Sequence, residues 1–99
     1  MCGIIGYTGN SKAAPILLDG LEKLEYRGYD SAGIALLENG IFSVEKTTER
    51  IAELKAQTQY GRGVVGSIGI GHTRWATHGA PCFENAHPHL SYDQKFALV

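Results

Sequence analysis

Cysteine is scarce in this 99-residue sequence, which contains only Cys2 and Cys82. Two cysteines cannot build the disulfide framework of a small secreted domain, so we expect both thiols to be free. No apolar run approaches the ~20 residues of a membrane-spanning helix. The amino terminus also lacks a basic segment followed by an unbroken apolar one. These absences predict a cytoplasmic protein with no membrane partner.

An excess of charge is also lacking, because nine Lys and Arg residues are balanced by ten Asp and Glu residues. The basic residues are scattered, and no nucleic-acid partner is therefore expected. Ninety-nine residues suit one small domain with a modest core. The strand-like end KFALV, residues 95–99, has no following turn or polar tail, which favours the amino-terminal piece of a longer protein.

Short apolar runs predict several β-strands. We expect strands at about 3–8, 32–38, 41–46, 67–72 and 95–99. Asn39-Gly40 separates the second run from the third, and Asn-Gly between two such runs predicts a tight hairpin.

Two helices are expected between these strands. The first should begin at a cap formed by Asn10 or Ser11, present one apolar face, and end at Gly28. The second should cover about 48–58 and lie at the periphery. Residues 73–92 are rich in turn formers, aromatics and histidines without a clean period, which is typical of a loop that carries function.

Two motif-like patterns are rejected as cofactor or metal sites. Residues 61–66 spell G-x-G-x-x-G, but a dinucleotide site needs a strand before this motif and a helix after it, and here the predicted order is reversed. A zinc hypothesis would use His72, His78, His87, His89 and Cys82. Their spacings fit no standard site, and an extended His-Pro-His segment should point its two rings to opposite faces. We expect neither a metal nor another cofactor.

Cys2 is the first candidate for chemistry. Removal of Met1 would leave a thiol and an α-amine on one terminal residue. Amines at chain termini titrate at about 7.7 to 8.0, so a usable fraction is uncharged at neutral pH. One residue would then supply a nucleophile and a base, with a bridging water to relay the proton. Considered alone, Cys2 is more simply an incidental small residue.

Two further segments concentrate polar side chains. Residues 72–79, HTRWATHG, combine a guanidinium with hydroxyls, an indole and imidazoles. An Arg fork helped by Thr and backbone donors commonly holds an amino-acid α-carboxylate, whereas the alternative is an amphipathic strand end at the surface. Arg27 and Asp30 lie in a turn between helix and strand, where a surface ion pair worth under ~1 kcal/mol is the simplest interpretation.

Four motifs together resemble one enzyme family. They are MCGI at the amino terminus, LEYRGYDSAG at 24–33, GHTRWATHG at 71–79 and NAHPH at 85–89. They are similar to the glutaminase domain of the glutamine:fructose-6-phosphate amidotransferases, which are class II glutamine amidotransferases of the amino-terminal-nucleophile hydrolase superfamily. The resemblance implies an α+β fold, a four-layer α-β-β-α sandwich. Residues 1–99 would form only its amino-terminal part, an incomplete glutaminase domain.

The resemblance also implies how glutamine is bound and cleaved. Cys2 would be the catalytic nucleophile that attacks the side-chain amide of L-glutamine, forms a γ-glutamyl thioester and releases ammonia. Arg74 would hold the glutamine α-carboxylate, and Thr77 and His78 would complete that grip. Trp75 would border the glutamine pocket.

Other implications concern support and completeness. Arg27 and Gly28 would border the nucleophile, and His87 would have a structural role. In the family the oxyanion donors follow the strand that KFALV matches, so the 99 residues alone are expected to be inactive or severely impaired. The parent enzyme would be a homo-oligomer that passes ammonia to fructose 6-phosphate through a separate isomerase domain. The alternatives are another class II amidotransferase with a different acceptor, or a non-catalytic fragment that binds glutamine or assists assembly.

Overall fold

The computed structural model describes residues 2–27, 30–75, 80 and 82–99. Its elements in chain order are β1 (Gly3–Thr8), α1 (Ala13–Leu24), a 3-10 turn (Glu25–Arg27), β2 (Ser31–Glu38), β3 (Ile41–Thr47), α2 (Ile51–Gln57), β4 (Ile68–Arg74), a second 3-10 turn (Phe83–Asn85), β5 (His89–Leu90) and β6 (Ala97–Leu98). Within these ranges, no helix combines the length and apolar character needed to cross a bilayer.

A four-stranded antiparallel sheet with the order β1-β4-β2-β3 is the centre of the fold. Asn39 and Gly40 join β2 to β3 with φ values of 52° and 76°, which confirms the predicted hairpin. β1 pairs with β4 so that Gly3 lies opposite Thr73. The first described residues therefore lie beside the end of β4, although about 70 residues separate them in sequence.

One face of the sheet packs against α1 and α2. Leu17 and Leu21 of α1 are fully buried, and a methyl group at Gly69 would lie only 2.7 Å from Leu17 Cδ1. The small residue in β4 thus allows the helix to lie close to the sheet. This core cluster contains Ala13, Ala14, Leu17, Leu18, Leu21, Ala32, Ile34, Leu36, Ile51, Leu54 and Val64.

The start of α1 differs from the prediction. Lys12 is the N-cap residue and makes no side-chain capping hydrogen bond, so the predicted caps at Asn10 and Ser11 are wrong. The Ala13 N–H instead donates to the Gly66 carbonyl at 2.8 Å. A backbone acceptor from the loop before β4 thus satisfies a donor at the helix end, which a local sequence pattern does not reveal. At the other end, the α-helix stops at Leu24 and tightens into the first 3-10 turn.

α2 is shorter and more central than expected. It begins at Ile51 because the Ile51 N–H donates to Glu25 Oε2 at 2.8 Å, and a salt bridge to Arg50 at 3.1 Å holds that carboxylate in place. The cap therefore comes from another element, so the predicted start at 48 is wrong. Ile51 and Leu54 are buried in the main core, so the helix is not peripheral.

The strand predictions hold for the large sheet and fail beyond it. The first four predicted strands are confirmed, but β4 continues through Arg74 because it pairs with both β1 and β2. The expected last strand is reduced to Ala97–Leu98, and its partner His89–Leu90 was predicted as loop. Residues 61–66 lie between α2 and β4, so a helix precedes the G-x-G-x-x-G pattern and a strand follows it, as predicted.

The second face of the sheet carries residues 86–88 and the small β5-β6 sheet. A methyl group at Gly33 would clash with the His87 carbonyl oxygen, so glycine allows this segment to lie directly on β2. Ala97 of β6 lines an apolar groove of about 220 Å³ with residues of β2, β3 and β4. Helices on one face of an antiparallel sheet and a second sheet on the other confirm the α+β class.

Replacing Leu17 with Ala should lower the free energy of unfolding by about 2 to 5 kcal/mol. The substitution would leave a cavity where the fully buried side chain now packs between α1 and β4. Urea denaturation followed by circular dichroism would measure the change. Ile16→Ala is the matched control, since this neighbouring side chain is 38% exposed, and a much smaller loss is expected. Equal losses in the two variants would contradict the assigned helix face.

Candidate active site

The ends of β1 and β4 hold Cys2 in place. The Trp75 N–H donates to Cys2 Sγ at 3.5 Å, and Arg27 Nε donates to the Cys2 carbonyl at 3.0 Å. Cys2 itself is exposed. A rigid strand thus presents an accessible sulfur that is drawn towards the end of β4, while a side chain from the first 3-10 turn fixes its backbone.

Arg74 is the second charged group at this end of the sheet. Arg74 is only 7% exposed, and its Nη1 donates a hydrogen bond to the Ala80 carbonyl at 3.0 Å. The Arg74 carbonyl accepts a hydrogen bond from the Asp30 N–H at 3.2 Å, which joins the turn before β2 to the end of β4. Since Trp75 follows Arg74 directly, the backbone of Arg74 and the Cys2 sulfur lie at the same end of the sheet.

Three histidines pack together beside Arg74. The ring centroids of His72 and His87 are 4.1 Å apart and nearly parallel, and those of His87 and His89 are 4.4 Å apart and tilted. The Nδ1 atoms of His72 and His87 are buried and have no hydrogen-bond partner within the described part of the chain.

Burial and charge both keep this cluster uncharged. Burial, then repulsion from His87, Arg74 and His89, lowers the pKa of His72 to about 4, with Asp30 acting in the opposite direction. Burial also lowers the pKa of His87 and of His89, and Arg74 and Lys46 add to both shifts. Neutral imidazoles therefore lie next to the guanidinium at neutral pH.

The prediction that the rings of His87 and His89 point to opposite faces is wrong. The chain bends at residues 86–87 and becomes a strand only at His89, so strand alternation does not apply. In the described ranges, no group of three or more His, Cys, Asp or Glu side chains is arranged to hold a metal ion. Both Cys2 and Cys82 are free thiols, as expected.

The structure brings together only some of the residues predicted for the site. Hydrogen bonds join Cys2 to Arg27 and to Trp75, Arg74 is the last residue of β4 beside them, and His87 stacks on His72 of the same strand. Three predicted residues lie outside the described residues: Gly28, Thr77 and His78. Asn85 and Ala80 were given no role, although Asn85 begins the NAHPH motif and donates to Ala80 at 3.0 Å.

Curated relatives named glutamine–fructose-6-phosphate aminotransferase [isomerizing] match the whole chain, and three of them serve as examples. The protein from Streptococcus pneumoniae (strain ATCC BAA-255 / R6) is 59% identical over 99 residues, which are 100% of this chain and 16% of that protein. Those from Aquifex aeolicus and Bacteroides thetaiotaomicron are 56% and 54% identical over 100% of this chain, and 17% and 16% of their own lengths are matched. The chain thus spans about a sixth of the length of these relatives.

A solved structure shows the same fold. Glutamine phosphoribosylpyrophosphate amidotransferase from B. subtilis, complexed with ADP and GMP, matches with a TM-score of 0.76 and 31% identity over 92% of this chain and 19% of that one. No protein-family model matches the sequence.

The fold and these matches place the chain in the glutamine amidotransferases that have the amino-terminal-nucleophile fold. Within this class, the whole chain matches the amino-terminal region of the glutamine–fructose-6-phosphate aminotransferases at 54% to 59% identity. The family and the fold that the four motifs suggested are thereby confirmed.

The stability of the chain should fall as the pH is lowered from about 6.5 towards 4. The unfolded chain protonates His72 near its ordinary pKa of 6.5, whereas the folded chain resists protonation until about pH 4. The unfolded state therefore binds more protons in this range. Urea midpoints at pH 7 and pH 5 would show the loss, and His72→Phe should reduce it. An unchanged pH dependence in that variant would contradict the assignment.

Proposed function

We propose that residues 1–99 form the amino-terminal part of a glutaminase domain that hydrolyses the side-chain amide of L-glutamine. The observation that carries the proposal is the hydrogen bond from the Trp75 N–H to Cys2 Sγ, 3.5 Å long. It places a thiol next to the residue that follows a buried arginine. A nucleophile and a group able to hold a carboxylate are what a glutaminase requires at one site.

In the first step, the Cys2 thiol transfers its proton through a water to its own α-amine, and the sulfur attacks the amide carbon of glutamine. A C–S bond forms and the C–N bond breaks, while the proton on the amine passes to the leaving nitrogen. Ammonia departs and a γ-glutamyl thioester remains. This step requires removal of Met1, because only then does Cys2 carry the amine.

In the second step, a water molecule attacks the thioester carbon. The α-amine of Cys2 accepts a proton from that water, the C–S bond breaks, and the proton returns to the sulfur. Glutamate leaves and the free thiol is restored. The same amine thus acts as base in both halves of the reaction, which leaves no net change in the protein.

Arg74 holds the glutamine α-carboxylate in this proposal. A planar guanidinium matches a carboxylate with two parallel hydrogen bonds, and its burial strengthens them. Thr77 and His78 complete the grip, and the half-exposed Trp75 borders the pocket. With one end of glutamine fixed, its amide lies near the sulfur.

Arg27, Gly28 and His87 support the site in this proposal. Arg27 fixes the backbone of the nucleophile through the Cys2 carbonyl, and Gly28 follows it in the same sequence motif. His87 holds the segment after the second 3-10 turn against the sheet, because its ring stacks on His72. These residues are not proposed to touch the reacting atoms.

The names of the relatives support a proposal for the acceptor. We propose that the longer protein is a homo-oligomer that delivers ammonia to fructose 6-phosphate and forms glucosamine 6-phosphate, with the sugar chemistry outside residues 1–99. Relatives of that name are 54% to 59% identical to this chain, whereas the phosphoribosylpyrophosphate enzyme is 31% identical, which favours the sugar acceptor.

Cys2→Ser should reduce glutamine-dependent synthesis in the intact protein by a factor on the order of 10³ or more, since the nucleophile is lost. Synthesis with added ammonium salt in place of glutamine should persist. Cys82→Ser is the matched control and should retain full activity. Intact mass should show the wild-type chain without Met1. A Cys2→Ser protein with normal glutamine-dependent activity would refute the proposed function.

Arg74→Lys should raise the KM for glutamine about 10- to 100-fold, because a single ammonium cannot replace a bidentate charged hydrogen bond. Glutamate release at varied glutamine concentration would measure it. Arg62→Lys makes the same chemical change at an exposed turn and should leave the KM unaltered. Equal KM values for wild type and Arg74→Lys would remove Arg74 from the binding site.

A further inference from the structure

We propose that Asn85 is a positioning residue for glutamine binding, which acts by fixing the carbonyl group that orients Arg74. This inference rests on the proposed function, because it assigns Arg74 to the α-carboxylate of the substrate. Asn85 itself is not proposed to touch glutamine or the reacting atoms.

The Ala80 carbonyl oxygen is the point at which the two residues meet. It accepts hydrogen bonds from Arg74 Nη1 at 3.0 Å, from Asn85 Nδ2 at 3.0 Å and from the backbone N–H of Cys82 at 2.9 Å. Three donors thus converge on one oxygen, and two of them come from side chains on different elements. The oxygen joins the end of β4 to the second 3-10 turn.

Asn85 is a suitable anchor because its own segment is held against the sheet. The following residues Ala86 and Pro88 are buried, and the ring of His87 stacks on His72 of β4 at 4.1 Å. Residues 86–88 also lie directly on Gly33 of β2. Because this segment is held in place, the Asn85 side chain has little freedom to move, and it restrains the Ala80 carbonyl that it binds.

The orientation of Arg74 depends on this carbonyl. A guanidinium is planar and its donors form a rigid fork, so a hydrogen bond at Nη1 restricts the direction in which the whole plane points. Ala80 is exposed, and without the Asn85 donor its carbonyl would be held less firmly. Displacements of about 1 Å in positioning groups are enough to weaken catalysis substantially. The effect should fall on glutamine binding rather than on thioester chemistry.

Asn85→Asp in the intact protein tests the inference. The substitution keeps the size of the side chain but replaces the donor with an acceptor, which repels the Ala80 oxygen and attracts Arg74 away from it. We expect the KM for glutamine to rise about 3- to 10-fold, which corresponds to the loss of one hydrogen bond. The kcat should stay within about twofold of the wild-type value. Asn10→Asp is the matched control at an exposed position and should change neither value.

Alkylation of Cys2 separates positioning from a merely structural role. 6-Diazo-5-oxo-L-norleucine carries an α-carboxylate and needs the Arg74 grip, whereas iodoacetamide does not. In Asn85→Asp the rate with the first reagent should fall by the same factor as kcat/KM, and the rate with iodoacetamide should not change. Asn85→Gln, which keeps a donor but moves it by one methylene, should give a smaller rise in KM.

Two results would overturn the inference: an unchanged KM in Asn85→Asp, or slower reaction of both reagents. If Asn85→Asp does not fold, Asn85→Gln and Asn85→Ala test the inference instead. Asn85→Ala has no side-chain donor, so its KM for glutamine must be higher than that of Asn85→Gln. The proposed function fails separately if Cys2→Ser retains glutamine-dependent activity. With Cys2→Ser inactive and Arg74→Lys impaired, a normal Asn85→Asp protein would refute only the role of Asn85.

Discussion

The antiparallel pairing of β1 with β4 brings together parts of the chain that are far apart in sequence. It joins the two ends of the described β-α-β-β-α-β arrangement, and its register sets Gly3 opposite Thr73. The residue before Gly3 and the residues after Thr73 then lie side by side without any special loop. The contact between Cys2 and Trp75 is thus a consequence of backbone hydrogen bonds, which are rigid and depend little on side-chain identity.

The two faces of the sheet divide stability from chemistry. The helical face holds the main apolar core, where fully buried leucines of α1 pack on small residues of β4. The opposite face carries Arg74 and the three clustered histidines, of which Arg74 and His72 are buried. Burying polar side chains is unfavourable unless they are paired, so this face should contribute less to stability than the helical face.

Much of the fold could be predicted from the sequence because the deciding information is local. Apolar runs marked the four main strands, and Asn39-Gly40 marked the hairpin. The errors arose where atoms that are distant in sequence determine the start of a helix. The Gly66 carbonyl accepts the Ala13 N–H at the start of α1, and the Glu25 carboxylate accepts the Ile51 N–H at the start of α2. At the site, motifs identified Cys2 and Arg74, but the three donors at the Ala80 oxygen come from residues whose convergence only the tertiary structure shows.

The hairpin at Asn39-Gly40 has a practical value because it lies far from the Cys2 sulfur. β2 begins beside Arg74 and runs to Glu38, so its eight residues, at about 3.3 Å each, place the turn roughly 25 Å from the sulfur. Gly40 has open space around it. Fluorophores, epitopes or spin labels grafted at this turn would report on the domain without reaching the end of the sheet that carries Cys2 and Arg74, which makes it a suitable attachment point for probes of this molecule.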